Sequence, residues 1–190
     1  VNTAAAEVLY HLVGDWAQCD AKTLLFDVCC GTGTIGLTLA RRVARVVGID
    51  IVEEAITDAK ANAHMNGIEN AEFVAGKAEE TLPGLLEDFC KKLPSSAEDA
   101  GAAEYNNVVA IVDPPRAGLH KKVLNALRRN EHLNRLVYVS CNPATLVENA
   151  LKLCTPIDKI PAFRPVKAVA VDLFPHTAHC EAVMLFERQS

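Results

Sequence analysis

With 190 residues, half of them apolar, the chain can build one α/β core, and no run approaches the ~20 continuous apolar residues of a membrane span. Seven cysteines without a C-x-x-C pair weigh against a disulfide framework and point to reduced thiols inside the cell; a cytoplasmic setting is expected, with a nuclear one second. A formal net charge of -5 excludes a broadly basic nucleic-acid coat, since phosphate neutralisation supplies much of such binding. Local basic clusters remain at Arg41/Arg42/Arg45, Lys121/Lys122, Arg128/Arg129/Arg135 and Lys159/Arg164/Lys167, and they read equally well as solvated faces or as phosphate contacts.

Apolar runs alternate with helical patterns, which marks a mostly parallel sheet with helices on its faces. Residues 3–14 read as an opening helix capped by Asn2 or Thr3, with Val8, Leu9, Leu12 and Val13 on one side. A buried strand follows at 23–28, a helix at 35–42, and a second strand at 44–49 that ends on Asp50. A helix at 53–66 is stopped by Asn66-Gly67. Then come a short strand at 71–75 and a helix at 78–92. Residues 93–106 are polar and small, and are expected to be a surface insertion. A strand at 107–112, a helix at 121–129, a strand at 135–140 and a helix at 143–153 with Pro143 in its first turn follow. The last segments, 157–171 and 182–187, read as an antiparallel pair joined by a polar loop. The chain opens without Met or a cationic-apolar leader, so a single catalytic domain from a longer protein is expected.

Phe26-Asp27-Val28-Cys29-Cys30-Gly31-Thr32-Gly33-Thr34-Ile35-Gly36 joins the first strand to its helix. Its glycines let the backbone pass close beneath a ligand and turn sharply. Gly31-x-Gly33-x-x-Gly36 followed by Asp50 also fits a nicotinamide-dinucleotide fingerprint, so the loop by itself leaves a dehydrogenase open. Asp27 decides between them. An acid there sits poorly beside a pyrophosphate but can pair with the amino group of S-adenosyl-L-methionine, leaving Asp50 to the ribose hydroxyls. Thr34 is read as a cofactor contact or, preferably, as a helix cap.

Asp113-Pro114-Pro115-Arg116 ends the fourth strand, where two prolines stiffen the turn and hold Asp113 toward the cleft. Arg116 stands where amino-group methyltransferases carry an aromatic residue, which weakens that reading. Tyr138-Val139-Ser140-Cys141-Asn142-Pro143 places Cys141 between a strand end and a helix start, a setting that favours a thiolate. C5 of uracil is too weak a nucleophile to attack a methyl sulfonium unaided. A thiolate adding to C6 makes C5 reactive, and a base must then remove the C5 proton. Glu181, at the start of the last strand, is the candidate base. His176, His179 and Cys180 match no familiar zinc spacing, so no metal is expected and the histidines are read as substrate-side loop residues.

These blocks, with Val1-Asn2-Thr3-Ala4-Ala5-Ala6-Glu7, Ala117-Gly118-Leu119, Ala144-Thr145-Leu146 and His179-Cys180-Glu181, resemble the RNA uracil-5-methyltransferase family over nearly the whole chain. The resemblance implies a Rossmann-like class I methyltransferase fold: α/β, with a doubly wound, mostly parallel seven-stranded sheet and an antiparallel C-terminal strand. It implies a covalent Cys141–uracil adduct and Glu181 as proton acceptor. Cofactor contacts carry over to Cys29, Gly31, Gly33, Thr34, Asp50 and Asp113, beside Asp27. Asp113, Arg116, Asn142, His176 and His179 are expected on the substrate side. The family's N-terminal RNA-binding and central regions are expected to lie outside this chain. A tRNA T-loop uridine is the expected substrate of a monomer, ahead of rRNA. The rivals are an RNA cytosine-5 methyltransferase, disfavoured because Pro114 is followed by Pro115 rather than Cys, and a non-catalytic RNA-binding or chaperone module.

Overall fold

The computed structural model describes residues 2–94, 104–157 and 160–188. In chain order its elements are α1 (Thr3–Ala17), β1 (Thr23–Val28), α2 (Thr34–Leu39), β2 (Arg45–Asp50), α3 (Glu53–Met65), β3 (Ala71–Ala75) and α4 (Ala78–Cys90). They continue with β4 (Asn107–Val112), α5 (Lys121–Arg129), β5 (Leu133–Ser140), α6 (Pro143–Leu153), β6 (Phe163–Val171) and β7 (Glu181–Arg188). One sheet runs β3-β2-β1-β4-β5-β7-β6. β1 to β5 run parallel to one another, and β7 runs antiparallel to both β5 and β6. This is the expected doubly wound sheet. Its strand order reverses between β1 and β4, and open sheets of this kind bind ligands in the crevice at such a reversal.

Side-chain alternation along the strands divides the core in two. Leu24, Phe26, Val28, Val108, Ala110 and Val112 cluster with Leu82, Leu86, Val123, Leu124, Leu127 and Leu146 of α4, α5 and α6. Leu25, Val46, Val109, Ile111 and Val137 cluster with Leu9, Val13 and Trp16 of α1 and with Ile35 and Leu39 of α2. Because both faces are covered, β1 is buried at every position, Thr23 and Asp27 included. That double burial explains why such strands read as unbroken apolar runs.

Several boundaries differ from expectation, each for a local reason. Asn2 caps α1 by accepting the Ala4 and Ala5 amides at 3.1 and 3.3 Å. The helix continues past Gly14 to Ala17, because Gly14 marks a helix crossing: a Cβ there would meet Leu39 Cδ2 at 2.8 Å. Thr34 does not cap α2. It is the first residue of the helix, after Gly33 in a left-handed conformation, and its hydroxyl lies 3.3 Å from that of Thr32. The helix expected to reach residue 42 stops at Leu39 and tightens into a 3₁₀ turn at Ala40–Arg42. α3 and α4 also stop short, at Met65 and Cys90, and β2 runs from Arg45 through Asp50 itself. β5 starts two residues early at Leu133, and β6 starts only at Phe163, after an isolated Ile157–Ile160 bridge.

The insertion at 93–106 lies partly outside the described residues, but Tyr105 is a core residue. It is fully buried, 6.5 Å from the Phe89 ring, and donates its hydroxyl proton to Glu104. Of the basic clusters, Lys159 lies outside the described residues. Arg45 pairs with Glu72 at 2.7 Å, Arg135 with Glu187 at 2.7 Å, and Arg164 with Glu187 at 3.2 Å. Lys167 sits 4.6 Å over the Trp16 ring. Among the described residues no helix is long and apolar enough to cross a membrane.

Candidate active site

Four carboxylic acids and a thiol line up along one edge of the sheet, one to a strand. Asp50 closes β2, Asp27 lies one residue from the end of β1, Asp113 follows β4, Cys141 follows β5, and Glu181 opens β7. In sheet order they read Asp50, Asp27, Asp113, Cys141, Glu181. The alignment has a topological cause: parallel strands present their carboxyl ends to this edge, and antiparallel β7 presents its amino end.

The glycine loop is tied down from two directions. Asp50 accepts the Gly31 amide at 2.8 Å through one oxygen and the Val52 amide at 3.0 Å through the other. The Cys30 amide donates to the Ile49 carbonyl at 3.0 Å. Gly31 adopts a φ of +54° and faces open space, with no heavy atom within 4 Å of where a Cβ would project; it is a cradle that a side chain would fill. Cys29 also takes a positive φ of 63°, a costly conformation for a non-glycine residue that is typical of ligand loops.

Two cavities meet beneath this loop. The larger, about 460 Å³, is lined by Cys29, Gly31, Asp50, Ile51, Val52, Lys77, Glu79, Asp113, Pro115, Gly118, Leu119 and His120 among others. The smaller, about 200 Å³, is lined by Tyr10, Asp27, Cys29, Cys30, Gly31, Thr32, Thr34, Ile35 and Asp113. Cys29, Gly31 and Asp113 belong to both, so the two cavities adjoin at these residues. Ile51 and Val52 are 62% and 47% exposed, an apolar pair left uncovered directly beside the Asp50 carboxylate.

The acids differ in how they are held. Asp27 is fully buried; one oxygen accepts the Gly36 amide at 2.8 Å, and the other has no partner. Burial pushes its carboxyl up to about 7, opposed by the Gly36 hydrogen bond and reinforced by Asp113 and Asp50. Burial, with Glu181 nearby, pushes Asp113 up to about 6. Burial also raises Glu181, whose Oε2 has no partner. Cys29 is pushed up to about 12 by burial and by the surrounding acids, so its thiol stays protonated near neutrality.

Cys141 is half-buried at the amino end of α6. Asn142 caps that helix by accepting the Ala144 amide at 3.2 Å, and the Ser140 hydroxyl braces the turn by donating to the Asn142 carbonyl at 2.9 Å. β5 pairs with β7 so that Ser140 lies opposite Ala182. Cys141 and Glu181 each stand one residue beyond this last pair, so they lie at the same end of two adjacent strands.

The remaining expected residues are distributed unevenly. Arg116 is exposed, with its carbonyl turned to α6. Asn142 spends its amide group on the fold, donating to that carbonyl at 3.0 Å while its oxygen caps the helix. His176, at a φ of 67°, and His179 are exposed on the loop between β6 and β7. Among the described residues no group of three or more His, Cys, Asp or Glu side chains is placed to hold a metal ion. Tyr10, Ile51, Val52, Lys77 and Glu79 line the cleft but were not anticipated. Exposed Ile51-Val52 straight after a strand-ending acid was a signal available in the sequence; Tyr10 had none, being one apolar-face residue of an ordinary helix.

The sequence of this chain matches the tRNA (uracil-5-)-methyltransferase family model over residues 2–189. The chain belongs to that family. It is 51% identical to human tRNA (uracil-5-)-methyltransferase homolog A over 99% of its own length and 28% of the human protein. It is 42% identical to zinc finger CCCH domain-containing protein 24 of Arabidopsis thaliana, over 99% of this chain and 34% of that one. The chain thus spans about a third or less of these relatives. The crystal structure of Pyrococcus abyssi tRNA (uracil-54, C5)-methyltransferase in complex with S-adenosyl-L-homocysteine superposes with a TM-score of 0.69 at 30% identity, covering 94% of this chain and 37% of that one. An rRNA methylase from Streptococcus thermophilus shares the fold at 15% identity, with a TM-score of 0.63 over 96% of this chain and 95% of that one. The architecture is that of the class I methyltransferases.

Proposed function

We propose that this chain is the catalytic domain of an enzyme that methylates C5 of a uridine in tRNA, the T-loop uridine, with S-adenosyl-L-methionine as methyl donor. One observation carries the reading: adjacent strands bring Cys141 and Glu181, a buried acid with one unpartnered oxygen, to the same end of the sheet, next to Asp113 and the cleft that reaches Asp27. The named substrate of the Pyrococcus abyssi structure supports the choice of tRNA.

The residues of the cleft fit the cofactor. The open oxygen of Asp27 is a buried acceptor suited to an ammonium donor. Asp50 would take the ribose hydroxyls, the Ile51-Val52 pair the flat adenine ring, and the Gly31 backbone the span between them. When bound, S-adenosyl-L-methionine supplies an electrophilic methyl group on a sulfonium.

The chain's own residues do the rest. Cys141, as thiolate, forms a bond from Sγ to C6 of the base, and the C5–C6 electron pair becomes available at C5 for the incoming methyl. Glu181 then takes the C5 proton. The released pair re-forms the C5–C6 double bond and expels Sγ, so the thiolate is regenerated and one proton remains on Glu181. A carboxyl held above its ordinary range by burial is suited to accept that proton. Asp113, which lines both cavities, would stand between the methyl and the ring.

The test uses tRNA carrying 5-fluorouridine, whose C5 fluorine cannot leave as a proton, so the adduct is trapped. The full-length protein carrying this chain should form a denaturant-stable RNA complex that requires the cofactor. Cys141→Ala should abolish it and lower methylation by at least about 10⁴-fold. An adduct that survives Cys141→Ala, or a wild-type protein that forms none, overturns the proposal.

A further inference from the structure

Asn149 is a buried polar residue, 4% exposed, in the middle of α6. Its Oδ1 accepts two hydrogen bonds, from the Leu119 amide at 2.8 Å and from the Tyr138 hydroxyl at 3.0 Å. Leu119 belongs to the loop after Asp113, and Pro115, Gly118 and Leu119 of that loop form one wall of the larger cavity. Tyr138 lies on β5, three residues before Cys141. A single oxygen therefore joins the cavity wall to the strand that delivers the cysteine.

The rest of the helix face works with it. Residues 142, 145 and 149 recur at the spacing that lines one side of a helix. The Asn142 amide and the Thr145 hydroxyl both donate to the Arg116 carbonyl, at 3.0 and 3.2 Å. Gly118 closes the loop onto this face with a φ of +75°, and a Cβ there would come within 3.2 Å of both Asn149 side-chain atoms Oδ1 and Nδ2. Apart from the Tyr138 hydroxyl, the stripe meets loop backbone, so it sets where the Asp113 loop lies relative to β5.

We propose that Asn149 is a positioning residue for the methyl transfer: its carboxamide oxygen sets the Asp113–Leu119 loop, and with it the cofactor wall, relative to Cys141. The inference rests on the reaction proposed above. Asn149→Leu keeps the volume but removes the oxygen that the Leu119 amide and the Tyr138 hydroxyl share, which loosens the loop from β5; Asn149→Asp keeps an acceptor oxygen in place.

In the full-length protein, Asn149→Leu should lower kcat by about 10- to 100-fold, the scale of a displacement near 1 Å in a reacting pair. Its KM for tRNA should stay within about twofold, because Asn149 is buried and its hydrogen bonds are to the protein itself. Asn149→Asp should restore most of the lost kcat. A purely structural role predicts that the folded fraction falls while kcat per folded molecule does not. Wild-type kcat in folded Asn149→Leu, a matched rise in tRNA KM, or equal loss in both variants overturns the inference. If Asn149→Leu does not fold, Tyr138→Phe decides it: a kcat about three- to tenfold lower at unchanged tRNA KM supports the inference, and unchanged kcat overturns it. A wild-type protein without turnover overturns the underlying reaction instead, and is distinguished by failing before any variant is compared.

Discussion

At the end of the sheet where β5 begins and β7 finishes, Arg188 donates to the carbonyls of Leu127, Arg128, Asn130, Leu133 and Pro161 at 2.8–3.2 Å and sits 4.2 Å over the Phe163 ring. At the opposite end, Asp27 and Glu181 each keep a buried oxygen without a partner. Arg45 and Arg128 also have an unpartnered Nε, but both guanidinium groups bond through another nitrogen. One end spends its polar groups on closing α5 against the C-terminal strands. The other withholds them, which costs stability and leaves acceptors free to meet a ligand. The difference teaches where in this fold a polar substitution harms chemistry and where it harms folding.

Glu181→Gln should sharpen that contrast most. Turnover should fall by about 10²- to 10⁴-fold, and ordinary tRNA should now accumulate in a denaturant-stable complex, since the proton that releases Cys141 is no longer removed. The melting temperature should hold or rise, because a neutral amide replaces an uncompensated buried carboxylate. Gel analysis of the RNA complex with a thermal melt checks both, and turnover within tenfold of wild type would break the assignment of Glu181 as base.

Arg188→Met should show the reverse signature. Loss of the carbonyl bonds should destabilise the fold by roughly 2–4 kcal/mol, read from denaturant unfolding, while kcat per folded molecule stays within about twofold. A variant that folds as well as wild type but turns over slowly would erase the distinction between the two ends.

The smallest effect concerns Asp27. Its folded carboxyl titrates at about 7, above its ordinary value, so below that pH the protonated form predominates and offers no negative charge. A cationic ligand group binds the ionised form, so affinity should rise with pH. Titration calorimetry with S-adenosyl-L-homocysteine should give roughly tenfold tighter binding at pH 8 than at pH 6, and Asp27→Asn should flatten that dependence. Equal affinity at both values in the wild type would remove Asp27 from the cofactor site.

Much of this was legible beforehand. Each strand-ending acid and the Cys141 turn could be placed because apolar runs, glycines and prolines act within a few residues of themselves. What misled was also local. The opening helix was expected to end at Gly14, which is instead a packing notch against Leu39 inside it. Thr34 looked like a cap, yet the preceding Gly33 starts the helix without one. Tyr105 sat in a polar stretch and proves to be wholly buried, because its neighbours in space come from α4 and not from its own segment.

The sequence by itself determined the alternation of strands and helices, the glycine cradle at Gly31 and the residue types at each strand end, since these depend on short-range periodicity and backbone chemistry. Only the tertiary structure decided which of those ends meet. Glu181 reaches the end of the sheet that holds Cys141 because β7 enters antiparallel between β5 and β6, and Asn149 joins Leu119 to Tyr138 because α6 folds back over the Asp113 loop. Both are pairings between segments far apart in the chain, set by how sheet and helices share one core, and no local pattern encodes them.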